Sequence, residues 1–508
     1  MHIHGLVRSF LDRAQSSAQN TYATLNGQLC SFGDLYRASE SIGHVLARAG
    51  TMSGDRVVVM LPNSPYSLAL VFALLRRGLV WVPVNPALVG SALDNVFRTT
   101  EPKLAFCEDN VADTLRQSAE LTGTTIQIVT DTSFPEYTGD APAIIDLPGP
   151  QDLAAIMFTS GTTGPAKGVM VTHMMLELAC HSVALCTDMK PGDKFFMWEP
   201  FYHIGGAQVI LLPLFHDITL TMVERFSGSQ FWKQVSETGC THIHHLGGII
   251  QILLKQPESS YDRNHNARVA WGGGCAPSVW RAFEERFGVQ IRECYGMTEC
   301  SSLTTYNDEN IVGSVGRPLP YFDVRLIGEN GKVLGPGEGK GEIVVSTTLP
   351  GAITEGYYRN AEATGRAVKP DGFHTGDLGS WDESGHLYFH GRTGDSIRCK
   401  GENVSAFEVE SVANRHPDIE ESALVGVDAE IGEYDIHLFI EPIAGATPDP
   451  FAIWTWLSSR LAPYQRPRFI SFVERFPRTP SQRIQKHLLD VNPENRWEAP
   501  QMAKGKAI

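Results

Sequence analysis

Phe158-Thr159-Ser160-Gly161-Thr162-Thr163-Gly164-Pro165-Ala166-Lys167-Gly168 follows an apolar run that begins at Ala154. Glycines let a backbone wrap closely around an anion. Hydroxyls and main-chain N–H groups then face its oxygens, and the single lysine adds a positive charge. That is the chemistry of a triphosphate cradle. The GxxxxGK[ST] spacing of the common nucleotide loop is absent, so the cradle is of a different kind. Taken alone, the segment also reads as a Gly/Thr-rich surface loop.

Upstream, Ser31-Phe32-Gly33-Asp34 has the form of a capping box, and Leu35, Ala38, Ile42, Val45 and Leu46 recur at helical spacing. Val57–Leu61 reads as a buried strand, Pro65–Arg77 as a helix and Val80–Val84 as a strand. This βαβ unit implies a parallel sheet. The alternation continues through strands at 126–129, 154–158 and near Phe195, with helices after His173 and over Phe231–Thr238. After about residue 310, glycines and short β runs dominate. From about Asp395 a small α+β unit begins, with a helix over Ala406–Arg415, strands over Glu421–Val427 and Ile436–Glu441, and a helix over Pro450–Leu461. The expected fold is α/β. A large N-terminal domain (1–393) has parallel-type sheets and a β-rich subdomain (about 310–393). A small mobile α+β domain (394–490) follows, then a polar, flexible tail (491–508).

Composition narrows the function. A net charge of −15 over 508 residues leaves no electrostatic footprint for nucleic acid and opposes nonspecific binding to an anionic membrane. The nine cysteines are scattered, without CxxC spacing. The N-terminus reads as an amphipathic helix rather than a signal core, so reduced thiols and a cytoplasmic location are expected. No run of eighteen apolar residues predicts a membrane span. His242, His244 and His245 sit at strand spacing, but no nearby pair of cysteines or of carboxylates completes a zinc shell, so a packed strand or pocket wall is the better reading.

Further segments belong with the glycine-rich loop. Pro200-Phe201-Tyr202-His203-Ile204-Gly205-Gly206 sets aromatics before a glycine pair. Gly272-Gly273-Gly274-Cys275-Ala276-Pro277 lets the backbone approach a flat ligand. Tyr295-Gly296-Met297-Thr298-Glu299 combines a ring, a hydroxyl and a carboxylate. Thr375-Gly376-Asp377, Gly391-Arg392 and Gly401-Glu402-Asn403-Val404 follow in order. This set resembles the adenylate-forming superfamily of acyl-CoA synthetases, adenylation domains and luciferases, over about residues 5–490. Gly401–Glu410 and Thr241–Gly247 look most similar to the crotonobetaine/carnitine-CoA ligase-like members.

The resemblance implies a reaction in two halves. An acid and ATP give an acyl-adenylate and pyrophosphate, and the thiol of coenzyme A then displaces AMP. An anion must meet a polyanion, so cations and donors around the phosphates matter more than a base. By resemblance, Thr159, Ser160, Gly161, Thr162, Thr163, Gly164 and Lys167 hold the β- and γ-phosphates. Thr298 bonds the α-phosphate and Glu299 holds Mg2+. Tyr295, with Gly296 after it, stacks on adenine against the backbone of Gly274, Cys275 and Ala276. Asp377 accepts the ribose hydroxyls, assisted by Arg392. His203, His245, Leu246, Gly247 and Gly272 line the acyl pocket. Gly394 is the hinge of the small domain, and Lys400 and Gly401 line the coenzyme A tunnel.

The chain departs from the family pattern near its C-terminus. The Gly-Lys pair usual after Pro-Arg-Thr is replaced by Gln482 and Arg483. Arginine keeps the charge but is planar and bulkier. Either Arg483 takes the adenylation role, or Lys486 reaches in from a shifted loop, or adenylation is lost. The leading function is an ATP-dependent carboxylic acid–CoA ligase. The alternatives are an enzyme loading a separate carrier protein and a weakened nucleotide- or acyl-binding homologue. No phosphopantetheine-serine motif occurs in this sequence, which favours free coenzyme A. A homodimer is compatible with the sequence, and the acid is not named by it.

Overall fold

The computed structural model describes residues 3–25, 27–134, 146–159, 166–246, 248–392, 396–399, 402–428, 434–461, 463–478 and 484–500. By internal contacts the chain forms two units. The first is Met1–Arg325 with Val344–Thr375, and the second is Leu326–Ile343 with Gly376–Ile508.

Two sheets organise the first unit. A six-stranded sheet runs in the order Gln127–Val129, Leu104–Cys107, Arg56–Met60, Val80–Pro83, Leu153–Thr159, Lys167–Thr172. Its pairs are parallel except the last. The βαβ reading is met here. Val57, Val58 and Val59 pair in parallel with Trp81, Val82 and Pro83, joined by the Pro65–Arg76 helix. That helix is buried on nearly every side, so it carries no polar stripe to mark its period.

The second sheet contains nine strands, with a parallel centre of Gln290–Tyr295, Val269–Gly273, His242–Leu246, Lys194–Met197, Thr219–Met222 and Thr21–Leu25. One flank packs on Phe231, Trp232, Trp280, Phe283 and Phe287. The Ser31 capping box closes as expected, with its hydroxyl accepting from the Asp34 N–H at the start of the Phe32–Arg48 helix.

In the second unit, Ile419–Asp428, Tyr434–Pro442, Phe469–Phe472 and Trp497–Glu498 form a four-stranded sheet. The helices Ala406–Ala413 and Pro450–Ser458 contribute Val409, Ala413, Ile453 and Leu457 to its core. Both helices end earlier than the sequence reading had them. The polar composition of 491–508 predicts a flexible tail, yet Ile470 pairs with Trp497 and Phe469 with Glu498. The Trp497 indole packs against the core of this unit, which accounts for the order of an otherwise polar segment. Residues 501–508 lie outside the described set.

All nine cysteines are free thiols. Among the described residues no helix is long and apolar enough to cross a membrane.

Candidate active site

Thr159 ends one strand and Lys167 opens the next, directly opposite each other in antiparallel register, with Phe158 opposite Gly168. The glycine-rich segment therefore joins two hairpin strands, instead of leading from a strand into a helix. Ser160, Gly161, Thr162, Thr163 and Gly164 lie outside the described residues.

Two other segments meet this hairpin. Thr298–Cys300 is a single 3-10 turn that follows the strand ending at Tyr295. Gly296 must be glycine, since a Cβ there would stand 2.0 Å from the Ser302 carbonyl oxygen. Residues 354–358 run beside the Lys167–Thr172 strand. Met170 N–H donates to Gly356 O (3.2 Å), Tyr358 N–H to Gly168 O (2.8 Å), and the Thr354 hydroxyl to Met170 O (2.7 Å). Thr354 N–H also donates to Glu299 O (2.8 Å). Tyr357 closes the group: its hydroxyl donates to Glu299 Oε1 at 3.0 Å, and Lys167 Nζ lies 5.0 Å from its ring centre. Thr298, Glu299 and Tyr357 are all buried.

Of the expected acyl-pocket residues, His245, Leu246 and Gly272 lie on two neighbouring parallel strands of the nine-stranded sheet. His203 precedes the short Ile204–Val209 helix. A Cβ on Gly205 would meet His244 at 3.5 Å and Leu246 at 3.9 Å, so this helix start lies against the His242–Leu246 strand. The turn before it is clamped by Asn63, whose amide donates to Glu199 O (2.8 Å) and accepts from Phe201 N–H (3.1 Å). Gly272 pairs with His245, and a Cβ there would stand 1.8 Å from the His245 oxygen at φ 148°. Gly247 lies outside the described residues.

The three histidines have separate partners. His242 stacks on Phe195 and contacts Thr187 O, and His244 bonds the buried Glu199 carboxylate. His245 is buried, and burial pushes its imidazole down to about 3. Among the described residues no cluster of three or more His, Cys, Asp or Glu could hold a metal by protein ligands alone.

Below the expected adenine backbone sits a carboxyl that the motif reading passed over. Glu293 Oε1 accepts from Gly274 N–H (2.5 Å) and Cys275 N–H (3.1 Å), and its Oε2 lies 3.7 Å from His245 Nε2. Burial raises its pKa to about 8, against the pull of the two N–H donors. Tyr295 is buried at the end of the same strand.

In the second unit, Asp377 and Arg392 are register partners, with Arg392 Nε 3.2 Å from Asp377 Oδ1. The Asp377 carboxylate is buried, which suits a group holding two hydroxyl donors. Lys486 is engaged in an ion pair with Glu410 at 2.7 Å, rather than extended from its loop. Gly394, Lys400, Gly401 and Arg483 lie outside the described residues.

Glu299 offers a carboxylate, and Thr298 a hydroxyl, both hard oxygen donors. One carboxylate suits Mg2+, which keeps water and phosphate oxygens in its shell and seldom uses an all-protein cage.

The AMP-binding enzyme family matches residues 10–358, and the AMP-binding enzyme C-terminal domain matches residues 408–483. The sulfoacetate–CoA ligase of Cupriavidus necator is 30% identical over 473 residues, covering 91% of this chain and 92% of that protein. The crotonobetaine/carnitine–CoA ligase of Salmonella paratyphi B is 28% identical over 500 residues, covering 94% and 93%. The crystal structure of ATP-bound MatB from Rhodopseudomonas palustris superposes with a TM-score of 0.85 at 26% identity, covering 95% and 97%. The chain belongs to the AMP-binding enzyme family and is an adenylate-forming, ATP-dependent acid–CoA ligase.

Proposed function

We propose that the residues above divide the ligase reaction between them as follows. The hairpin from Thr159 to Lys167 holds the β- and γ-phosphates of ATP. The Thr298 hydroxyl donates to the α-phosphate, and Glu299 holds Mg2+. Tyr295 and the backbone of Gly274, Cys275 and Ala276 flank adenine, while Asp377 accepts the ribose hydroxyls beside Arg392. Mg2+ supplies charge neutralisation of the phosphate oxygens. The substrate carboxylate oxygen attacks the α-phosphorus, the bond to the bridging oxygen breaks, and pyrophosphate leaves. The coenzyme A thiol then attacks the acyl carbon, and AMP leaves with the C–O electron pair.

Adenylation brings two anions together, and Arg483, at the position of the family's lysine, supplies the cation for it. The pairing of Lys486 with Glu410 supports that assignment over Lys486. His203, His245, Leu246, Gly247 and Gly272 line the acyl pocket. Residues from 394 onward swing about Gly394 between half-reactions, bringing Lys400 and Gly401 to coenzyme A. The acid is an organic acid of modest size, in keeping with relatives named for sulfoacetate and for crotonobetaine or carnitine.

The observation that carries this reading is the meeting of Lys167 and Glu299 on one tyrosine, Tyr357, beside the glycine-rich hairpin. The test is AMP release from purified protein with ATP, Mg2+ and a panel of carboxylic acids, with coenzyme A or a holo-carrier protein as acceptor. Coenzyme A-dependent AMP release is expected. Release with the carrier alone would move the acceptor assignment, and no release with any acid would overturn the reading.

A further inference from the structure

Tyr357 belongs to none of the motifs that the sequence marks out, yet it contacts both charged residues assigned to the phosphates and the metal. Its hydroxyl is committed to Glu299 Oε1, and its ring face carries the Lys167 ammonium. The tyrosine is itself held on three sides. Its backbone bridges Val169 on the hairpin strand. Its N–H donates to the Thr364 hydroxyl at 2.9 Å. Gly356 before it, at φ 137°, packs so tightly that a Cβ would stand 2.3 Å from Thr364 Cγ2. Glu299 is fixed from the same segment through the Thr354 N–H.

A buried carboxylate has several rotamers, and a lysine has many more. Fixing both against one rigid ring reduces that freedom before the nucleotide arrives. A hydroxyl donating to a carboxylate is charge-assisted, and an ammonium over an aromatic face is stabilised by the ring quadrupole.

We propose that Tyr357 is a positioning residue for the ATP half-reaction, presenting Glu299 to the metal through its hydroxyl and Lys167 to the phosphates through its ring. The proposal rests on the roles given above to Glu299 and Lys167, and its two contacts separate cleanly by substitution. Tyr357→Phe keeps the ring and removes the hydroxyl. Tyr357→Leu removes both.

The readout is ATP affinity measured by isothermal titration calorimetry on the full chain, with and without Mg2+, beside a thermal melt of each variant. In Tyr357→Phe, the gain in ATP affinity that Mg2+ provides is expected to shrink about tenfold, the scale of one hydrogen bond to a charged group. Metal-free ATP affinity stays within about twofold of wild type, because the ring still faces Lys167. In Tyr357→Leu, metal-free affinity falls as well, by about threefold or more. The KM for the acid is unchanged in Tyr357→Phe.

Glu299→Gln is measured in parallel. A wild-type Mg2+ response in Tyr357→Phe, with Glu299→Gln impaired, overturns the positioning role alone. A wild-type response in Glu299→Gln overturns the assignment of the metal to Glu299, and the Tyr357 proposal with it. Equal loss of metal-free and Mg2+-bound affinity in Tyr357→Phe marks a merely structural residue and also overturns the proposal.

Discussion

Replacing Glu293 by glutamine should change how stability responds to pH. The carboxyl has an ordinary value of 4.5 and is raised to about 8 by burial. Because the folded value lies above the unfolded one, its contribution is fully present below pH 4.5 and is lost as pH rises through about 8. Each pH unit between the two values is worth about 1.36 kcal/mol and the slope fades above 8, so raising the pH from about 6 to about 9 costs the wild type about 3 kcal/mol through this one group. At about 2.1 cal/mol/K per residue over a cooperative unit of several hundred residues, that is roughly 4 °C in Tm. Glutamine never ionises and retains an oxygen to accept from Gly274 and Cys275. The expected result is that Glu293→Gln gains roughly 4 °C on the wild type between pH 6 and pH 9, measured by scanning fluorimetry in matched buffers. His245, held down to about 3, stays neutral in the fold across this window in both proteins, so its contribution cancels in the difference. Parallel melting curves for the two proteins from pH 6 to pH 9 would refute the reasoning.

Further outcomes follow from the geometry. Lys167→Ala should lower ATP–pyrophosphate exchange by about 10²- to 10³-fold, the usual cost of losing one donor to developing phosphate charge, with a melting temperature close to wild type. Arg483→Ala should lower the same exchange by about 10²-fold or more, whereas Lys486→Ala, which breaks only the ion pair to Glu410, should leave it within about twofold. The opposite ranking would make Lys486 the adenylation cation. Gly272→Ala should cost about 3 kcal/mol or more, since the new Cβ would stand 1.8 Å from the His245 oxygen at φ 148°; a normal melt would contradict that packing.

The sequence was readable wherever chemistry and local pattern coincide. The valine strand at Arg56–Met60, the capped helix after Ser31 and the Phe231–Thr238 helix lie where alternation and capping put them. Thr298 and Glu299 stand out only through the order of the motifs around them, and the structure places both, buried, in one turn after Tyr295. Tyr357 gave no such signal, because its partner Glu299 is 58 positions away and only the tertiary fold makes them neighbours. Glu293 was hidden for a related reason. A carboxylate on a strand looks like an exposed polar residue until two backbone N–H groups and a histidine close over it. The strand at Trp497 was missed because it is two residues long in a polar setting, and burial of one indole orders it.

Lys167–Thr172 is the last strand of the six-stranded sheet, and its outer backbone groups would otherwise be open to any other extended chain. Residues 356–358 occupy that rim through the contacts at Gly168, Val169 and Met170. The segment that presents Tyr357 therefore also acts as a guard against edge-to-edge aggregation. Loosening it should cost solubility during folding as well as grip on the nucleotide, so poor recovery of variants in this stretch would itself report on how the sheet is sealed.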